Sequence, residues 1–410
     1  MAKGDLVVGL DIGTTKICTV IAECGEGRVE ILGIGLAAST GLRRGVVVDI
    51  DQTVRAVEES VQKAQRMAGA EVHSVIVGVT GEHIASLNSR GVIAITHADR
   101  EVTDEDVERV LDNSRVIVLP PDRDILHAIP RGYTLDGQSG IRSPVGMSGT
   151  RLEVETHIVT GATTFLQNVA KGVERAGLAV EETVLEPIAT GESVVMAAEK
   201  ELGVALVDIG GGTSDLAIFC NGEICYSAVV PIGGNYVTKD VSAGLRTTLE
   251  EAERIKVAYG AAVVDLVPEA ETFTFTRLGG EAPTTLPARV LGEIIEPRMS
   301  ELFHLVRQEI NRSNFAGLLP AGMVLSGGGS LLRGARDLAA TTTGLPTRVG
   351  FPAGVGGLSE SVAGPSFATA VGLIQFAGKA YAGTARRERP GGYFAAVMGF
   401  LRSVFRPVRP

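Results

Sequence analysis

Tryptophan is absent from this 410-residue chain, and the other aromatics are sparse, at 12 Phe and 6 Tyr. No stretch of 18 apolar residues occurs, which excludes a membrane-crossing helix of ordinary length. The opening residues 1–5 run straight into a strand-like segment without a signal-peptide apolar core, so the expectation is a protein made and kept in the cytoplasm. The four cysteines, Cys18, Cys24, Cys220 and Cys225, have no histidine near them and fit no zinc spacing. They sit in or beside apolar runs and read as buried, reduced thiols. The 52 glycines show no period of three, which rules out a collagen-like chain. Positive charge is also lacking: the net charge is −10, which excludes a general nucleic-acid binder, since phosphate neutralisation needs clustered Lys and Arg. Neither the Walker A pattern nor the dinucleotide-binding G-x-G-x-x-G at the first strand is found.

What is present is ordinary globular material, 45% apolar and 21% charged, long enough for two or three domains at ~150 residues each. The charge is uneven. Residues 386–410 hold six Arg and one Glu, a local +5, and leave −15 on the rest of the chain.

The chain also contains itself twice. Residues 6–35 and 204–233 share one plan: an apolar run ending in Asp-Ile-Gly (Asp11, Ile12, Gly13; Asp208, Ile209, Gly210), a turn of small residues, a second apolar run, another turn and a third run. The second copy turns on Asn221-Gly222, the strongest short hairpin signal. Each copy predicts a three-stranded meander opened by a tight hairpin. The copies lie 197 residues apart, too far for a solenoid and suited to two duplicated lobes facing each other across a cleft. Further along, the periodicity predicts helices over residues 51–67, 164–175, 187–199, 249–259, 291–311 and 366–380, and a linker over 378–390.

Three glycine-rich turns could hold a phosphate chain, which needs backbone N–H groups at close approach, positive charge and usually a metal. Gly13, Thr14, Thr15 and Lys16 offer N–H groups, two hydroxyls and an ammonium. Gly210, Gly211, Gly212 and Thr213 offer a second set from the other copy. Asp11 and Asp208, at the strand ends, suit a Mg²⁺ that keeps most of its waters. Gly327, Gly328 and Gly329 follow a buried strand and are expected to open a helix from about Leu331, so that a base or ribose rests on bare backbone beside a helix N-terminus.

These turns resemble the phosphate-1, phosphate-2 and adenosine motifs of the superfamily that contains actin, the heat-shock chaperones and the sugar kinases. Residues 185–191 and 365–373 are similar to its two connecting helices, and residues 250–256 to its ribose-binding helix. Within that superfamily the chain most resembles the bacterial FtsA family of cell-division proteins, on residues 10–16, the Gly41–Val48 run GLRRGVVV followed by Asp49, Ala128-Ile129-Pro130 and residues 324–329. The likeness covers essentially the whole chain.

The resemblance implies an α/β actin-like ATPase fold of two duplicated lobes around a nucleotide cleft. Residues 1–83, 164–203 and 355–380 would form the first lobe, with residues 84–163 inserted in it. Residues 204–240 and 320–354 would form the second lobe, with residues 241–319 inserted. A linker over 381–391 and an amphipathic helix over 392–410 would complete the chain. ATP and Mg²⁺ would be the cofactors. Gly233 and Gly234 would join the nucleotide site, Glu253 and Lys256 would face the ribose, and Glu186 would lie near the metal-bound water, with slow hydrolysis at most. The implied partners are further copies of the chain in a filament, the acidic C-terminal tail of the tubulin-like protein FtsZ, anionic lipid, and other division proteins through the 84–163 insert. Arg289 and Arg298 are the candidates for the FtsZ contact. The implied location is the cytoplasmic side of the cell membrane, peripheral, at the division site. A pilus-assembly adaptor, a small-molecule kinase or a chaperone of the same fold are the alternatives.

The tail supports the membrane expectation on its own chemistry. At 100° per residue Tyr393, Phe394, Val397, Met398, Phe400, Leu401, Val404 and Phe405 fill an arc of ~160°, with Arg402 and Arg406 outside it. Fourteen such residues make a helix of ~21 Å, too short to cross a bilayer and suited to lie in its interface. Partial apolar burial nearly cancels the ordering cost of ~14 kcal/mol, so one tail binds marginally and several tails on one filament bind firmly.

Overall fold

The structure, a computed structural model, describes residues 5–387 apart from positions 26 and 281. The chain opens with an antiparallel meander, β1 (Asp5–Ile12), β2 (Lys16–Gly25) and β3 (Arg28–Ala38), then a short hairpin, β4 (Leu42–Arg43) and β5 (Val46–Val47), helix α1 (Ile50–Ala68) and strand β6 (Ser74–Val79). An excursion follows through β7 (Ala85–Ala94), α2 (Asp104–Arg115), β8 (Arg123–Leu135), β9 (Gln138–Ile141) and β10 (Arg151–Ala162), before α3 (Thr163–Arg175) and β11 (Ala179–Leu185). Two helices, α4 (Glu186–Val194) and α5 (Ala197–Leu202), lead to the second meander, β12 (Val204–Ile209), β13 (Ser214–Cys220) and β14 (Glu223–Val230). Then come α6 (Gly234–Leu245), α7 (Leu249–Tyr259), β15 (Thr272–Thr276), β16 (Pro283–Pro287), α8 (Ala288–Arg312), β17 (Met323–Ser326), α9 (Ala335–Thr343), β18 (Thr347–Val349), β19 (Gly356–Gly357) and α10 (Ala368–Arg387).

The duplication read in the sequence reappears as sheet order. The first sheet runs β11-β6-β1-β2-β3-β19 and the second β14-β13-β12-β17-β18. In each, the meander is antiparallel and its first strand is extended by parallel strands, β6 and β11 in one case, β17 and β18 in the other. A third sheet, β7-β10-β8-β9, belongs wholly to the excursion, which has its own small core around Val107, Val110, Leu111 and Leu152. The first lobe's core continues into the second lobe through Leu206, Phe219 and Val324, so one apolar body joins the two.

Local chemistry explains the elements. Asp49 caps α1 by accepting from Gln52 N at 3.0 Å, and Gly69 ends it at φ 64°, a conformation glycine adopts without strain. α1 lies close on β3 because a Cβ on Gly35 would stand 1.8 Å from the Ser60 carbonyl oxygen. The Asn221-Gly222 turn has positive φ at both residues, 56° and 90°, as its sequence demands.

Three expectations are corrected. The helix expected over 187–199 is two helices, because Val195 is extended (φ −102°, ψ 125°) after a β-branched run that resists continuous helix. The glycines at 327–329 do not open an α-helix: Gly328 and Gly329 belong to a single 3₁₀ turn, Gly328–Leu331, and α9 begins only at Ala335, after Gly334 in the left-handed region. The last helix does not stop at 380: its backbone stays helical to Arg387, well into the segment expected as linker, in keeping with the helix propensity of Ala and Arg there. All four cysteines are free; three are buried and Cys220 is partly exposed beside its hairpin turn. The amphipathic segment 392–410, with Tyr393, Phe394, Val397, Met398, Phe400, Leu401, Arg402, Val404, Phe405 and Arg406, lies outside the described residues.

Candidate functional site

Both Asp-Ile-Gly hairpins close identically. Gly13 N donates to Lys16 O at 3.0 Å, and Gly210 N donates to Thr213 O at 3.0 Å. The registers correspond as well: Asp11 faces Cys18 in one hairpin and Asp208 faces Asp215 in the other. The two turns meet across the lobes. A Cβ on Gly211 would stand 2.4 Å from Thr15 Cγ2, and one on Gly212 2.6 Å from Thr14 Oγ1, so only glycine permits this approach.

Beside this contact lies a cavity of about 590 Å³, within the range of small-molecule sites. Its walls include Asp11, residues 13–16, Glu186, Asp208, residues 210–213, Gly234, Glu253, Lys256 and residues 327–329. The structure therefore brings together every nucleotide and metal candidate read from the sequence except Gly233. That residue stands behind the wall as the N-cap of α6, where a Cβ would meet the Gly210 and Gly211 carbonyl oxygens at 2.7 Å. In the third turn the glycines divide the work. Gly327 (φ 75°) and Gly329 are needed for packing, since a Cβ would lie 2.3 Å from Asp208 Oδ1 and 2.2 Å from Ile209 Cγ2 respectively. Gly328 has nothing within 4 Å and leaves bare backbone. On the far wall Lys256 pairs with Glu253 at 2.6 Å and donates to Thr238 Oγ1 at 2.9 Å.

The electrostatics are those of a crowded acid cluster beside Lys16. Burial, against the attraction of Lys16, pushes the Asp11 carboxyl up to about 6, and the neighbouring Asp208 adds to the rise. Burial raises Asp208 too, opposed by hydrogen bonds from Thr190 Oγ1 (2.8 Å) and Thr369 Oγ1 (3.2 Å). Burial takes Asp215 to about 7, against a hydrogen bond from the Thr80 hydroxyl. Glu186 is driven well above the ordinary carboxyl range by burial, then by Asp11, Asp215 and Asp208. Its Oε1 is buried with no hydrogen-bond partner. The Lys16 ammonium donates to the Ser366 carbonyl oxygen and lies 4.4 Å from the Phe367 ring centre.

This donor set suits a divalent cation held through its waters. The carboxyl groups of Asp11, Glu186, Asp208 and Asp215 crowd together in the pocket and one oxygen lacks a partner, while among the described residues no three His, Cys, Asp or Glu side chains converge to hold a metal directly. Sequence reasoning missed Asp215, Thr80, Thr190 and Thr369. Aligning the two copies would have exposed Asp215, which takes the place that Cys18 holds in the first hairpin. The threonines carry no local signal, because they arrive from elements far apart in the chain. The two arginines singled out on α8 are not brought together. Nine residues set them on opposite sides of the helix. Arg289 reaches Asp265 at 3.6 Å, whereas Arg298 clasps Asp240 at 2.6 and 3.1 Å and also pairs with Glu301.

Comparison with known proteins agrees with this architecture. Residues 205–372 match the family described as Cell division protein FtsA, and residues 81–160 match the SHS2 domain inserted in FtsA. The chain is 46% identical to the FtsA of Pseudomonas aeruginosa over 91% of this chain and 89% of that one. The chain belongs to the FtsA family. With the Escherichia coli K12 FtsA it shares 36% identity over 90% of each chain. The SHS2 match falls on the third sheet of this FtsA-family chain, the excursion between β6 and α3. Among solved structures, the PilM–PilN type IV pilus biogenesis complex matches with a TM-score of 0.68 at 19% identity, over 91% of this chain and 98% of that one. Spiroplasma citri MreB5 bound to AMPPNP matches at 0.58 and 13%, over 94% and 99%. These two show the actin-like fold, and the FtsA relatives place the chain among the cell division proteins. Among the described residues no helix is long and apolar enough to cross a membrane.

Proposed function

We propose that this FtsA-family chain binds ATP with Mg²⁺ in the cleft between its lobes and that the loaded form polymerises on the cytoplasmic face of the cell membrane, tethering FtsZ filaments at the division site. The observation that carries the reading is the convergence of both sibling hairpins, the bare backbone of Gly328 and the unpartnered Glu186 oxygen on one cavity. In this reading the N–H groups and hydroxyls of residues 13–15 and 210–213 hold the phosphates and Lys16 supplies positive charge. Glu253 and Lys256 meet the ribose, and Asp11 and Asp208 hold the ion through water. Bound Mg²⁺ would neutralise phosphate charge. Burial and the neighbouring carboxyl groups push the Glu186 carboxyl well above its ordinary range and disfavour the ionised form that would activate water, which favours nucleotide as an assembly switch with slow hydrolysis.

The remaining contacts follow the family and the sequence. The arginine-rich amphipathic tail lies on anionic lipid, and the 84–163 insert meets further division proteins. The acidic FtsZ tail docks on the 241–319 region, where Arg289 is the more available cation because Arg298 is already engaged.

The test is co-sedimentation with anionic liposomes, for the full chain and for a chain ending at residue 391, with ATP–Mg²⁺ and without nucleotide. The full chain is expected to pellet with ATP and the truncated chain to stay in solution while still binding a fluorescent ATP analogue. Undiminished pelleting of the truncated chain overturns the membrane assignment, and absence of analogue binding by the full chain overturns the nucleotide assignment.

A further inference from the structure

α4 begins at Glu186 with no side chain to cap it, because Leu185 stands at its N-cap position. Leu185 also ends β11, the edge strand of the first sheet, so its outward N–H has no ladder partner on that side. A buried imidazole supplies one: Leu185 N donates to His127 Nε2 at 3.0 Å. His127 belongs to β8 of the inserted sheet, and burial lowers its pKa to about 4, so at neutral pH the ring is uncharged and Nε2 carries the accepting lone pair. The next residue along the chain is Glu186, whose Oε1 waits unpartnered in the cleft.

The same sheet also grips the second lobe. His127 is opposite Val159 and Ile129 opposite His157, so His127 and His157 rise from one face as diagonal neighbours. His157 Nε2 lies 3.0 Å from Ser227 Oγ on β14, and its Nδ1 lies 2.8 Å from Asn88 Oδ1. Asn88 Nδ2 donates to the Cys225 carbonyl at 3.2 Å, and Ser86 Oγ to the Ser227 carbonyl at 2.7 Å. β14 is the edge strand of the second sheet. The insert, which grows out of the first lobe, therefore bridges the free edges of both lobe sheets.

We infer that His127 is a positioning residue: it fixes the Leu185–Glu186 backbone and, through the β8–β10 ladder, couples the placement of Glu186 to the contact between the insert and the second lobe. A shift of the lobes strains the Ser227 contact, tilts the stiff antiparallel ladder and moves the imidazole that holds Leu185 N–H. The coupling is reciprocal, so a partner that displaces the insert alters the cleft. The inference rests on the assignment of Glu186 to the nucleotide cleft.

His127→Leu keeps comparable bulk and removes the acceptor; His127→Gln keeps an acceptor near the Nε2 position. Each is measured for fluorescent ATP-analogue affinity and single-turnover phosphate release with Mg²⁺. His127→Leu is expected to release phosphate about tenfold more slowly at an affinity within about twofold of wild type, and His127→Gln to recover most of the rate. Equal rates in wild type and His127→Leu, or equal losses in both variants, overturn the inference, the latter because packing alone would explain them. Hydrogen exchange of the wild-type chain supplies a reading that does not depend on any variant folding. AMPPNP–Mg²⁺ is expected to change exchange in residues 123–135 and 151–162, and unchanged exchange there overturns the coupling. A wild-type chain that binds the analogue but releases no phosphate removes the Glu186 role and this inference with it. A chain that binds no analogue refutes the proposed function itself.

Discussion

Adjacent glycines in the third turn should respond oppositely to the same substitution. At Gly327 alanine must adopt φ 75° with ψ 170°, a region open essentially to glycine alone, which costs about 1–3 kcal/mol for a residue with a Cβ. Its new methyl would stand 2.3 Å from Asp208 Oδ1 and 2.5 Å from the Ile209 carbonyl oxygen. Neither neighbour yields easily, because Asp208 is held by two threonine hydroxyls and Ile209 is strand backbone. Overpacking of this kind adds about 1–3 kcal/mol, giving about 2–6 kcal/mol of destabilisation in all. At Gly328 the added methyl meets nothing within 4 Å, so stability should change by no more than about 0.5 kcal/mol. That methyl would occupy the space assigned to the nucleotide, and the expected loss is at least about tenfold in affinity, or about 1.4 kcal/mol. Urea unfolding followed by circular dichroism suits a chain without tryptophan, and titration of a fluorescent ATP analogue reads binding. Wild-type affinity in Gly328→Ala would refute the placement of nucleotide against this turn. Wild-type stability in Gly327→Ala would refute the packing argument.

Two sets of buried groups set the pH dependence in opposite directions. His83, His127 and His157 are lowered by burial to about 4, 4 and 3, so the unfolded chain takes up protons first and stability falls as pH drops from about 6.5 towards 4. Asp215 is raised to about 7, so its contribution is lost as pH rises from about 4 through 7; Asp215→Asn should therefore gain stability relative to wild type between pH 5 and pH 8 without nucleotide, and a relative loss in urea unfolding would contradict the burial argument. Arg298→Glu should destabilise the fold by about 1–3 kcal/mol, since it sets a carboxylate against Asp240 and Glu301. Arg289→Glu should cost no more than about 1 kcal/mol and weaken an FtsZ tail peptide in fluorescence anisotropy; unchanged peptide affinity would remove Arg289 from the contact.

The sequence alone determined what is local or repeated. Apolar alternation interrupted by Asp-Ile-Gly and Asn-Gly specifies hairpins whose geometry depends on a few neighbouring residues, and the recurrence of the Asp-Ile-Gly plan 197 residues later specifies two lobes. The same logic found the three glycine turns, because only glycine admits such close approach. Only the tertiary structure decided which of those glycines pack and which stay open: Gly327, Gly328 and Gly329 look alike in the chain, and Asp208 and Ile209 distinguish them. It also decided the acid cluster, where Asp11, Glu186, Asp208 and Asp215 arrive from four separate elements and acquire their shifted acidities from shared burial. His127 shows the limit most plainly. In the sequence it is one histidine in a strand, and its partner Leu185 lies 58 residues away. A hydrogen bond from the edge strand of one sheet to a side chain of another depends on where the sheets lie in space, and no periodicity records that.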